Sequence, residues 1–87
     1  MTETDTQAVQ VEQVRVPGKR ADGRKTTVSW PALIHAQLIE RCGGRQNFRP
    51  LVNVAMKTVT PKLGYAYSFQ VRQLTEQLVN ERYPINA

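Results

Sequence analysis

From Lys25 to Trp30 polar and apolar side chains alternate, with Lys25, Thr27 and Ser29 on one face and Thr26, Val28 and Trp30 on the other. That two-residue period, with β-branched residues in the middle, predicts a strand. Pro31 ends it and opens a first helix to Cys42, in which Ala32, Ile34, Ala36, Leu38, Ile39 and Cys42 cover more than half the circumference. Gly43 and Gly44 stop that helix. A second helix is predicted from Phe48 to Val59, with Asn47 as N-cap, Phe48, Leu51, Val52, Ala55 and Val59 as its apolar stripe, and Arg49, Asn53 and Lys57 opposite. A turn marked by Pro61 and Gly64 leads to a third helix over Ser68–Arg82, with a narrower stripe of Val71, Leu74, Leu78 and Val79. Residues 1–23 contain few large apolar groups, and VPGKRADG reads as coil, which predicts a disordered N-terminal arm.

The expected organisation is therefore mainly α with one β-strand: an arm over 1–23, a strand–helix–helix unit over 24–60, and a turn with an appended C-terminal helix over 61–87. A lone strand leaves a row of backbone donors and acceptors unpaired. Two short, strongly apolar helices likewise cannot hide their faces on each other. A two-fold axis resolves both, pairing the strand antiparallel with its copy and merging four helices into one core. The expectation is a homodimer whose core holds Val28, Trp30, Ile34, Leu38, Phe48, Val52 and Ala55.

Composition narrows the class. The chain has 87 residues, one domain's worth, and a single cysteine, which excludes an intrachain disulfide framework and fits a reducing compartment. The first residues lack a charged segment followed by an apolar one, and no apolar run reaches membrane-spanning length, so a soluble, cytoplasmic protein is expected. The net charge of +5 is concentrated in two blocks. Arg15, Lys19, Arg20, Arg24 and Lys25 form one, and Arg45, Arg49, Lys57 and Lys62 the other. Clustered positive charge suits a polyanion such as nucleic acid.

The segment Lys25–Val59 resembles the ribbon-helix-helix family of Arc- and MetJ-type repressors, most closely at VSWP, Val28 to Pro31, where a strand ends in tryptophan and proline opens the helix. The resemblance implies a ribbon-helix-helix homodimer whose intersubunit antiparallel ribbon lies in the major groove of double-stranded DNA. Base contacts would come from Lys25, Thr27 and Ser29. The N-terminus of the second helix, Gln46, Asn47 and Phe48, would hold a phosphate, with Arg45 and Arg49 beside it. Arg24, Arg20 and Lys19 would follow the backbone from the arm. The function so implied is sequence-specific DNA binding, as a transcriptional repressor or as an accessory in plasmid partition or conjugation. A rival reading is an antitoxin whose C-terminal helix presents Val71, Leu74 and Leu78 to a toxin. Another is a helical RNA-binding protein with no ribbon.

Other chemistry is thinly supported. His35 and Cys42 share a helix seven residues apart, but two ligands without carboxylates make a poor metal site, and a hydrogen-bonded core histidine is the simpler reading. Cys42 sits at a helix C-terminus, where the dipole disfavours a thiolate. Trp30 falls on the core face, and Tyr65, Tyr67 and Phe69 read as a satellite core rather than a base-stacking platform. No catalytic grouping and no phosphate-cradling glycine loop is present, so neither an enzyme nor a cofactor is expected.

Overall fold

The computed structural model describes residues 12–60 and 66–85. The element order is strand β1 (Gln13–Lys19), strand β2 (Lys25–Pro31), helix α1 (Ala32–Cys42), helix α2 (Arg45–Thr58) and helix α3 (Tyr67–Arg82). The two strands form one antiparallel sheet. The helices follow within one residue of the expected bounds, except that α2 starts at Arg45, three residues early. No described helix is long and apolar enough to cross a membrane.

The strand predicted to lack a partner has one in its own chain. Val14 pairs with Trp30, Val16 with Val28 and Gly18 with Thr26, so both strands turn the same alternation toward the helices. This corrects two expectations: residues 12–23 are not a disordered arm, and the ribbon does not need a second subunit to supply its other strand. Residues 1–11 lie outside those described. The physical reason lies in Pro17 and Gly18, which read as chain breakers. The Arg20 N–H donates to the Arg24 carbonyl (2.9 Å) and the Ala32 N–H to the Glu12 carbonyl (2.8 Å). That phase puts the even-numbered residues of β1 in hydrogen-bonded pairs and turns the backbone of the odd-numbered ones outward. Pro17 therefore sits where its missing N–H breaks no ladder bond. Gly18 lies under Met56, and a Cβ there would stand 2.3 Å from Met56 Sδ. The turn between the strands is built by Asp22, whose Oδ1 accepts from the Arg24 N–H at 3.0 Å, and by Gly23 at φ 86°.

The inner face of the hairpin and the three helices enclose one core of Val16, Val28, Trp30, Leu38, Phe48, Val52, Ala55, Met56, Val71 and Val79. Trp30 meets Phe48 edge-on with ring centroids 5.8 Å apart. Six of the seven residues expected in a dimer core are thus buried within a single chain, each large one contributing about 1.5–3 kcal/mol by leaving water. Ile34 is the exception, at 39% exposure. Helix α1 is less covered than its composition suggests: only Leu38 and Cys42 are buried along it. Helix α3 closes the core from the other side. It buries Val71, Thr75 and Val79, and Leu74 and Leu78 pack against the same cluster. Arg72 Nη1 donates to the Ser29 carbonyl (2.8 Å), and Arg41 Nη2 to the Tyr83 carbonyl (2.9 Å), tying α3 to β2 and to α1.

Tyr67 is half-buried, and its hydroxyl donates to the Met56 carbonyl at 2.7 Å. Phe69 is 49% exposed and does not join it, which corrects the expected aromatic cluster; Tyr65 lies outside the described residues.

Candidate nucleic-acid interface

The pleat leaves one face of the hairpin to solvent. It carries Gln13, Arg15, Pro17 and Lys19 from β1, and Lys25, Thr27, Ser29 and Pro31 from β2. Lys25, Thr27 and Ser29 therefore share the outer face expected of them, with Trp30 on the inner one. Pairing within the chain adds Arg15 and Lys19 to the same surface. Arg15 stands opposite Ser29, Pro17 opposite Thr27, and Lys19 opposite Lys25. These are the close, non-hydrogen-bonded positions, where facing like charges repel. No acidic residue occupies either strand. Two lysines held face to face without a carboxylate between them make a surface that is relieved by an anion.

Arg49 joins this surface from α2. Its Nη2 donates to the outward-pointing Pro17 carbonyl at 2.8 Å, which fixes the guanidinium beside the free edge of β1. Lys19, Lys25, Thr27 and Arg49 line one shallow concavity. Arg49 was legible as a cation near a helix start, but its position against the ribbon depends on β1, which the breakers Pro17 and Gly18 concealed.

The cations at the hairpin turn are partly engaged. Arg20 pairs with Asp22 at 3.2 Å, and its guanidinium lies 5.6 Å from the centroid of the Tyr67 ring. Arg24 Nε lies 3.9 Å from the same carboxylate. Arg24 is the more exposed of the two and keeps a solvent-facing charge.

The expected phosphate clamp at the second helix is corrected in part. The helix begins at Arg45 because Gly44, at φ 140°, provides the N-cap. The Asn47 and Phe48 N–H groups both donate to the Gly44 carbonyl at 3.2 Å, and Phe48 is buried. Neither amide is free for a phosphate. The Asn47 side chain caps the preceding helix instead, donating from Nδ2 to the Cys42 carbonyl at 2.8 Å. Arg45 and Gln46 are exposed in the first turn, where N–H groups have no partner within the helix.

His35 is half-buried and edge-on to Phe48 at 5.3 Å. Burial, and then the nearby Arg45 charge, push its pKa below the ordinary value. Cys42 is buried, and burial pushes its thiol pKa up, with Arg41 opposing in part. Among the described residues no group of three or more His, Cys, Asp or Glu side chains is placed to hold a metal ion.

Comparison with models of protein families, with characterised proteins and with solved structures returned no match to this chain.

Proposed function

We propose that this chain is a sequence-specific double-stranded DNA-binding protein that lays the outer face of its own β-hairpin in the major groove. The observation that carries the reading is the cross-strand pair Lys19–Lys25, flanked by Arg15 and Arg49 on a ribbon face free of carboxylates. The major groove is wide enough for a two-stranded ribbon, and each base pair presents a distinct pattern of donors and acceptors there. Lys25 can donate to guanine O6 and N7. The Thr27 and Ser29 hydroxyls can donate or accept, and the Thr27 methyl can pack on a thymine methyl. Arg15, Lys19, Arg49, Arg24 and Arg45 serve the phosphates, a contribution that sets affinity and register without reading sequence.

From β2 through α2 the order of elements is that of the ribbon-helix-helix resemblance. The difference is the source of the second strand. With the ribbon complete in one chain, a single copy suffices to read one site, and a pair of copies would read two half-sites rather than share a ribbon. Bound at a promoter, such a protein represses transcription by occupancy. The antitoxin reading is weakened, because Val71 is buried and Leu74 and Leu78 pack on the chain's own core.

Replacing Lys19 and Lys25 singly by Gln tests the reading. Each replacement removes like-charge repulsion across the ribbon, so the fold should be unharmed or slightly steadier. Binding to a mixed-sequence duplex, followed by fluorescence anisotropy across a salt series, should weaken, and the slope of log affinity against log salt should fall by about one for each charge removed. Unchanged affinity and slope in both variants would count against the ribbon.

A further inference from the structure

At the free edge of β1 the hairpin does not close fully onto the helices. A cavity of about 170 Å³ remains between β1, α1 and the start of α2. Its apolar walls are Val14, Val16, Ile39 and Phe48. Around it stand Arg15 from β1 and Arg45 and Arg49 from α2, with the His35 ring at its side, and no acidic residue lines it. Among the described residues neither Arg15 nor Arg45 makes an ion pair. Arg49 is held in place by its bond to the Pro17 carbonyl.

We propose that this cavity is a binding site for a small aromatic monocarboxylate, the ring seated among Val14, Ile39 and Phe48 and the carboxylate held by Arg45 and Arg15. The size is sufficient: the cleft, open to solvent on its arginine side, holds about 170 Å³, and about 150 Å³ of apolar space accommodates a benzene ring. The charge also fits. A guanidinium takes a carboxylate through two parallel hydrogen bonds, and it does so most strongly beside apolar walls that keep water from competing. A bare inorganic anion would satisfy the arginines and leave the apolar walls wet. A neutral ring would fill the walls and leave the cations unpaired. Only a molecule carrying both parts uses the whole site. The Phe48 ring, fixed between Trp30 and the His35 edge, gives the seat a rigid aromatic wall.

The test is a titration of the full chain with benzoate, read from the methyl resonances of Val14 and Ile39 by NMR. Saturable shifts at both are expected. Benzyl alcohol, which has the ring without the charge, and acetate or inorganic phosphate, which have charge without the ring, should each bind about tenfold more weakly or worse. Arg45→Met should weaken benzoate by a similar factor while leaving the methyl spectrum of the free protein folded, since Arg45 is exposed. The absence of saturable shifts would overturn the site. So would acetate or phosphate binding as well as benzoate, which would mark a general anion patch. The site does not depend on the DNA reading, and failure to bind a duplex would leave the benzoate result standing.

Discussion

Gly18 concentrates much of what distinguishes this chain from a single-strand protein. In sequence it follows a proline, and the pair reads as coil. In the fold it is the one inward-facing position of β1 directly beneath Met56, which is fully buried. Glycine is needed there for space, since its φ lies outside the left-handed region. Gly18→Val should therefore destabilise the protein by about 1–3 kcal/mol through overpacking, even though valine favours strands. Chemical denaturation measures this directly, and the expected loss should shrink when Met56 is shortened to Ala in the same chain. At the same scale the shared outer face of Lys25, Thr27 and Ser29 was legible, and the start of the second helix less so. The alternation Lys25, Thr27, Ser29 needs only strand geometry, which local sequence dictates. The assignment of Asn47 and Phe48 failed because Gly44, read as part of a helix stop, also starts the next helix and takes both amides.

The hairpin is the element on which the account turns. Two strands alone are marginal in water, and this pair is held by burying Val16, Val28 and Trp30 against three helices. Its turn depends at one point on glycine: Gly23 has a φ of 86°, which other residues rarely adopt, and its missing Cβ would meet nothing within 4 Å. Gly23→Ala should accordingly cost about 1–2 kcal/mol by backbone strain alone. In urea the midpoint should fall with the slope unchanged, because the surface exposed on unfolding stays the same. The second strand and the helices were visible in sequence because each follows its own period over enough residues. The first strand was not. Pro17 and Gly18 break every local rule for a strand, and both are tolerated for tertiary reasons, an outward-facing edge position and a close approach by Met56, that no local pattern encodes. The third helix was legible as a helix but not as a wall of the core, since its stripe of Val71, Leu74, Leu78 and Val79 could face this chain or another.

For the molecule as a whole, that hidden strand changes the meaning of the charge. Read as a disordered arm, Arg15 and Lys19 would trail along a backbone. Folded into β1, they share a face with Lys25, Thr27 and Ser29, and Arg49 is pinned beside them. Folded together with the helices, the hairpin leaves six of the seven residues expected in a dimer core buried within one chain, Ile34 being the exception. Positive charge is thus gathered on one face of a two-stranded ribbon rather than spread along a tail. Specificity, not charge, is the central claim, because any basic surface binds DNA to some degree. The most direct measurement is selection of bound sequences from a pool of randomised duplexes at physiological salt, with the intact chain and with a Lys25→Ala, Thr27→Ala double variant. The account predicts that the intact chain enriches a short common motif, and that the variant retains weak duplex binding with the motif lost. A pool that stays random after repeated rounds, or a motif that survives in the variant unchanged, would contradict it.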